Sequence, residues 1–182
     1  MKIISGYLKN RSIKSPKNIR PCTSNIREAI FNICNLIVEG STFLDLFSGS
    51  GAIGIEAISR GAELSFFIDK SKESIKYIKS NIANLKIEDK SKVIYQDALM
   101  FLKKTKMKFD IISIDPPFII YENNPNLINE ILQTISLRNL LNKNGIIFLE
   151  EPTYSKRNKE VEHLTLDNLR KYGSAYLVTY FS

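Results

Sequence analysis

Phe43-Leu-Asp45-Leu-Phe-Ser-Gly49-Ser-Gly51-Ala-Ile-Gly54-Ile-Glu-Ala57 begins as an apolar run, stops at a carboxylate and passes through three spaced glycines into a helical pattern. The opening reads as a buried strand over Thr42–Leu46, and the remainder starts a helix near Gly51–Ser59. The glycines fall in the G-x-G-x-x-G arrangement. There they permit a tight turn and let a ligand approach the main chain closely.

Beyond this unit the chain keeps alternating. Strands are predicted at Leu64–Ile68, Lys92–Tyr95, Asp110–Ile114 and Ile146–Leu149, with helices near Lys72–Asn84, Ala98–Lys104 and Asn126–Leu137. Short apolar strands alternating with amphipathic helices specify a parallel sheet covered on both faces. The tail departs from this rhythm: His163–Leu166 and Ser174–Phe181 read as strands joined through Asn168–Gly173, an antiparallel hairpin at the sheet edge. The expected class is α/β with an antiparallel end.

The N-terminal part is of another kind. Lys2-Ile-Ile-Ser-Gly-Tyr-Leu and Ser12-Ile-Lys read as a short hairpin turning near Lys9 and Asn10, and Ser15–Pro21 as a loop bounded by prolines. Thr23 or Ser24 can then cap a helix carrying Ile26, Ile30, Ile33 and Ile37 at near-helical spacing, with Gly40 ending it. The domain organisation expected is therefore a basic extension over residues 1–40 (hairpin, loop and helix) packed on a main domain over 41–182.

Charge separates the two parts. The net charge is +7. Lys2, Lys9, Arg11, Lys14, Lys17, Arg20 and Arg27 precede the first acidic residue, so the rest of the chain is close to neutral. A basic patch beside a balanced domain is the footprint of a polyanion-binding protein. With 43% hydrophobic residues the chain can bury a core, and no apolar run approaches the roughly 20 residues that would span a bilayer. Cys22 and Cys34 have neither metal-type spacing nor a nearby histidine, which suits free thiols in a reducing, cytoplasmic setting. No membrane partner and no metal is expected, and nothing in the sequence requires more than a monomer.

The glycine pattern alone also fits a dinucleotide site. Asp69, closing Phe66-Phe-Ile-Asp69, is placed to accept hydrogen bonds from ribose hydroxyls of either kind of ligand. Two further carboxylates favour S-adenosylmethionine. Asp45 would oppose a pyrophosphate but suits the cationic amino-acid end of that molecule. Asp97, after the third strand, is placed to accept from the adenine amine. Asp45, Gly49, Gly51, Asp69 and Asp97 are thus the expected cofactor residues.

Phe109-Asp-Ile-Ile-Ser-Ile-Asp115-Pro116-Pro117-Phe118 carries the chemistry. The prolines offer no N–H and stiffen the backbone, so the Asp115 carboxylate and the Pro116 carbonyl project as two adjacent acceptors. They match the two hydrogens of an exocyclic amine on a nucleobase, and Phe118 offers a ring on which that base can stack. Such an amine is a weak nucleophile because its lone pair is delocalised. Hydrogen bonds to both N–H groups would localise the lone pair toward a sulfonium methyl, and orientation supplies the rest. A target in folded RNA has to be turned out of its stack to arrive there.

Arg20-Pro-Cys-Thr-Ser-Asn-Ile-Arg27-Glu28-Ala-Ile-Phe31-Asn32, together with Leu44–Ala62 and Asp115–Phe118, resembles the RsmD-type 16S rRNA guanine-N2 methyltransferases. Ile3-Ile-Ser-Gly and Arg170-Lys-Tyr-Gly173 are similar to that family as well, and Cys22 stands where it usually has threonine. The resemblance implies a class I S-adenosylmethionine-dependent methyltransferase fold with a seven-stranded sheet and a small basic extension. It implies methylation of N2 of one guanosine of small-subunit ribosomal RNA, on partly or fully assembled subunits. Asp115, Pro116, Pro117 and Phe118 would hold the base, and Lys9, Arg11, Lys14, Lys17, Arg20 and Arg27 would face RNA, Arg27 nearest the pocket.

Other readings share parts of this pattern. A glutamine-N5 protein methyltransferase usually begins the strand-four turn with Asn rather than Asp. An N6-adenine methyltransferase shares Asp-Pro-Pro-Phe, but the DNA enzymes usually carry an extra recognition region. An NAD oxidoreductase leaves Asp115–Phe118 without a use. A non-catalytic assembly factor would not need an intact Asp45, Gly49, Gly51 and Asp115. His163, the sole histidine, is expected to pack in a strand, and Lys103, Lys104, Lys106 and Lys108 to close a helix end. Glu150 and Glu151 fall near the expected mouth of the sheet.

Overall fold

The structure, a computed structural model, describes residues 1–16 and 23–182. Seven strands form one sheet in the order β3-β2-β1-β4-β5-β7-β6. They are β1 Thr42–Leu46, β2 Leu64–Asp69, β3 Ser91–Tyr95, β4 Phe109–Ile114, β5 Leu141–Pro152, β6 Thr165–Tyr172 and β7 Ala175–Phe181. The first five pair in parallel, and β7 runs antiparallel to both β5 and β6. The helices are α1 Ser24–Ile33, α2 Ala52–Ser59, α3 Lys72–Leu85, α4 Ala98–Lys104, α5 Ile120–Asn123 and α6 Leu127–Leu137.

Side-chain alternation explains the two covering layers. Leu44, Leu46, Phe66, Ile68, Ile112 and Ile114 face one side, where they meet Leu102 of α4 and Ile128, Ile131 and Ile135 of α6. Phe43, Ile111, Ile146 and Phe148 face the other and pack on Ile26, Ile30 and Phe31 of α1 and Ala57 of α2. Phe67, on the same side, meets Ile55, Ile58, Ile75 and Ile78 of α2 and α3. Gly54 is needed for that approach: a Cβ there would lie 2.4 Å from Phe67 Cε1.

The N-terminal segment is a loose hairpin docked on α2 and α3, with Lys2 and Ser12 forming an isolated bridge and Asn10 in the left-handed region (φ 68°). Ile3, Leu8 and Ile13 join the core of α2 and α3. Buried side chains catch its backbone. Glu56 accepts from the amides of Ile4 (2.8 Å) and Ser5 (2.9 Å) and pairs with Arg60. The Leu8 amide donates to Ser59 Oγ at 3.0 Å. The Asn81 carboxamide accepts from Lys14 N and donates to Lys14 O and to Ser50 O, tying the hairpin to the glycine loop.

Some boundaries differ from expectation. α1 ends at Ile33 rather than at Gly40: Cys34 closes it, and the Cys34 carbonyl then takes the Ile37 and Val38 amides in a turn. Asn168–Gly173 is not a connection, because β6 runs through Tyr172 and only Gly173 and Ser174 turn. β6 is an edge strand with mostly exposed side chains on both faces, so it lacks the apolar alternation that marks a strand. His163 does not pack: it is exposed in a turn at φ 60°, with Nε2 3.3 Å from Glu162. α5 and the 3-10 turn Glu88–Lys90 are too short to carry a periodic signal.

Candidate active site

β2 and β4 lie on opposite sides of β1, so the chain leaves the β1–β4 junction in both directions. Open α/β sheets take their ligands in the crevice beyond the strand ends at such a junction. A cavity of about 480 Å³ occupies it, within the usual range of small-molecule sites.

The glycine loop forms its floor. Gly49 (φ 56°) and Gly51 (φ 79°) adopt left-handed backbone, and so does Phe47 (φ 60°), a strained conformation for an aromatic residue. Ser48 holds the loop from beneath, its hydroxyl 2.6 Å from Asp45 O and its amide donating to Ile68 O. Asp69 fixes the loop from the side: one carboxylate oxygen accepts from Gly49 N and the other from Ser71 N, both at 2.8 Å.

Asp45 is 1% exposed, and its Oδ2 accepts from Gly54 N at 3.0 Å. Burial pushes its carboxyl up to about 7, the Gly54 hydrogen bond opposes this, and the Asp69 charge adds to it. A buried carboxylate with no cationic partner among the described residues is costly to ionise, which is the condition in which a cationic ligand is bound strongly.

The opposite wall is Asp115, Pro116, Pro117, Phe118 and Ile120, with Glu150 from β5. Asp115 follows β4 directly, and its amide donates to Leu46 O at 3.4 Å, so the turn starts level with the end of β1. The Ile120 and Tyr121 amides bond to Pro117 O and Phe118 O, winding the turn into α5. Tyr121 packs edge-on against Phe118 (centroids 6.5 Å apart, planes at 83°), and its hydroxyl donates to Glu150 O at 3.1 Å. Burial, then the Glu151 charge, raise the Tyr121 hydroxyl above its ordinary range and keep it a donor.

Behind this wall lies a buried ion cluster. Arg157 Nε meets Glu151 Oε2 at 3.0 Å, Lys159 Nζ meets Glu151 Oε1 at 3.4 Å, and Arg157 Nη2 donates to the Tyr180 hydroxyl at 2.9 Å. It ties the connection after β5 to β7. A lone Glu-Glu pair in the sequence gave no signal of this arrangement. Glu56, Asn81 and Tyr121 were likewise invisible, because their roles depend on partners far along the chain.

Asp45, Gly49, Asp69, Asp115, Pro116, Pro117 and Phe118 thus come together around one cavity, with Gly51 in the same loop. Asp97 is not among the lining residues; one of its oxygens caps α4 by accepting from Met100 N at 3.2 Å. Lys9, Arg11 and Lys14 are exposed on the hairpin, while Lys17, Arg20 and Cys22 lie outside the described residues. Arg27 is 3% exposed, its Nη2 donating to Lys2 O at 3.1 Å. That burial corrects the expectation of an RNA-facing side chain: Arg27 braces the hairpin instead. Lys103 pairs with Glu130 across α4 and α6. Cys34 is a free, buried thiol that burial pushes up to about 12, so it stays neutral. Among the described residues no cluster suited to a metal ion occurs, and no helix is long and apolar enough to cross a membrane.

This sheet order, the antiparallel β7 and the glycine loop beneath β1 and β2 are those of the class I S-adenosylmethionine-dependent methyltransferase fold. The structure of the Escherichia coli protein described as putative methyltransferase yhhF superposes with a TM-score of 0.88 at 25% identity, over 100% of this chain and 97% of that one. The chain belongs to the RsmD family: the family model described as Conserved hypothetical protein 95 matches residues 1–181. Ribosomal RNA small subunit methyltransferase D of Buchnera aphidicola is 38% identical over 152 residues, covering 82% of this chain and 76% of its own. The putative rRNA methyltransferase YlbH of Bacillus subtilis is 32% identical over 185 residues, 99% and 98% of the two chains.

Proposed function

We propose that this protein is an S-adenosylmethionine-dependent methyltransferase of ribosomal RNA, acting on the exocyclic N2 amine of a guanosine in the small subunit. One observation carries the reading: the Asp115–Phe118 turn and the glycine loop with Asp45 and Asp69 line the same cavity. The names of the relatives support ribosomal RNA as substrate, and the amine-directed turn supports the finer assignment.

The residues fit the cofactor. Asp45, buried and reluctant to ionise alone, would receive the ammonium end; the open backbone of Gly49 and Gly51 would run beneath it; Asp69 retains acceptor capacity for ribose hydroxyls. When bound, the cofactor supplies an electrophilic methyl on a sulfonium sulfur. The work of the chain is then orientation. Asp115 and the Pro116 carbonyl accept the two N–H bonds of the guanine amine and aim its lone pair into the cavity. Phe118, braced by Tyr121, sets the plane of the base. The apolar contacts of Pro117 and Ile120 exclude water, which favours a displacement that passes the sulfonium charge to the attacking amine, whose surplus proton the Asp115 carboxylate is placed to take. Asp97 would contribute to the adenine end only if its second oxygen turned toward the cavity. Residues 1–40 would form the RNA-facing extension, with Lys9, Arg11 and Lys14 presenting charge to phosphates.

The test is methyl transfer from labelled S-adenosylmethionine to unmodified small ribosomal subunits, followed by nucleoside analysis. Label in N2-methylguanosine is expected, and Asp115→Ala is expected to abolish it while leaving cofactor affinity nearly unchanged. Label in N6-methyladenosine would keep the site and reject the base; near-normal turnover by Asp115→Ala would reject the mechanism.

A further inference from the structure

Tyr154 stands outside the cavity but is tied to its wall. It lies in the connection after β5, 53% exposed, and its hydroxyl donates to Glu122 Oε1 at 3.1 Å with the Phe118 carbonyl 3.5 Å away. One anchor, Phe118, lines the cavity, and the other, Glu122, lies in α5 two residues after the cavity-lining Ile120. Ile119, between Phe118 and Ile120, is 53% exposed as well.

An exposed tyrosine has no meaning by itself. Here the polar end of the side chain is engaged by the active-site turn, so the exposed part is a ring fixed relative to Phe118. Tethering lowers the rotamer entropy that a contact would otherwise cost. The chemistry of the surroundings selects what kind of group can meet that ring. Glu122 beside it disfavours a phosphate, whereas a nucleobase has an uncharged π-face and stacks on tyrosine irrespective of sequence. A base turned out of an RNA strand leaves its neighbours unstacked on at least one side, and those neighbours necessarily pass the mouth of the cavity.

We propose that Tyr154 is a second base-stacking site, outside the cavity, for a nucleotide that flanks the methylated one. This rests on the RNA reading above. It assigns Tyr154 to substrate binding, with no part in methyl transfer or in cofactor binding.

The experiment compares wild type, Tyr154→Ala and Tyr154→Phe in methyl transfer to unmodified small ribosomal subunits at saturating S-adenosylmethionine, with cofactor affinity and thermal stability measured alongside. Tyr154→Ala is expected to raise KM for the subunits about tenfold, the loss appropriate to one stacked base, with kcat unchanged. Tyr154→Phe, which keeps the ring but loses the tether to Glu122, is expected to give a KM between those of wild type and Tyr154→Ala. Cofactor affinity and melting temperature should be the same in all three. A wild-type KM in Tyr154→Ala, or a fall in kcat or cofactor affinity with KM unchanged, would overturn the proposal and leave the RNA reading intact. A Tyr154→Phe variant as poor as Tyr154→Ala would also overturn it, since the hydroxyl and not the ring would then matter. Wild-type protein that transfers no label to RNA would overturn both.

Discussion

Replacing Asp45 with Asn separates the cost of a buried charge from the benefit of the ligand that needs it. The change is isosteric, and the amide oxygen can still accept from Gly54 N, so the fold is not otherwise challenged. In the unfolded chain this carboxyl ionises near its ordinary value of 3.8, but in the folded protein burial holds it up to about 7. Between those values the folded state binds the extra proton, so stability falls as pH rises through that window and stays lower above it. A gap of roughly 3 pH units corresponds to about 4 kcal/mol in full. Between about 2 and 3 kcal/mol of it accumulates between pH near 5 and pH near 8. For a chain of this size that is about 5–10 °C in melting temperature. The assay is thermal unfolding of the ligand-free protein at both pH values. Asp45→Asn should melt higher than wild type by a margin that grows by that amount from the acid to the alkaline measurement. A margin that does not change with pH would refute the reasoning, because Asp45 would then carry no displaced titration. The same substitution should remove most affinity for S-adenosylmethionine, and wild-type affinity should weaken as pH falls below about 7, by up to about tenfold per pH unit, as the carboxylate that meets the ammonium takes up a proton.

Asp69→Ala should weaken cofactor binding before it affects RNA affinity, because the Gly49 and Ser71 amides lose their shared anchor; titration calorimetry with S-adenosylhomocysteine reads this directly. Gly54→Ala should destabilise the protein by about 1–3 kcal/mol through collision with the Phe67 ring, visible as a lower denaturant midpoint with an unchanged slope. Arg157→Ala leaves the fully buried Glu151 with Lys159 at 3.4 Å as its one remaining cation among the described residues and should cost about 3 kcal/mol or more in the same assay. Stability equal to wild type in either variant would show that the surroundings relax freely.

The parallel half of the sheet was legible because its central strands are buried on both faces and mostly apolar, as Ile111–Ile114 is apart from Ser113, while β3, with Lys92 and Tyr95 exposed, shows itself only through Val93 and Ile94. Gly49, Asp69 and Asp115 were legible for a related reason: each sits at the junction between an apolar strand and a turn, where residue type is dictated by backbone geometry. β6 was misjudged because an exposed edge strand such as Thr165–Tyr172 obeys no burial pattern. Arg27 was misjudged because charge in a sequence carries no record of burial, and an arginine inside a basic stretch looks the same whether it faces solvent or a backbone carbonyl. Tyr121 and Tyr154 could not be assigned at all: their partners, Glu150 and Phe118, are remote in sequence and meet them only after the turn closes.

The docking of the hairpin has a consequence for its dynamics. Its amide hydrogens are held by Glu56 and Asn81, 52 and 67 residues further along the chain for Ile4 and Lys14 respectively. The closed hairpin therefore outlives no opening of α2 or α3, whatever its own turn chemistry. In hydrogen exchange, the Ile4, Ser5 and Lys14 amides would keep time with the two helices beneath the cofactor cavity rather than with the chain end to which they belong. Whatever ligand quiets those helices would slow exchange at the far side of the basic extension as well.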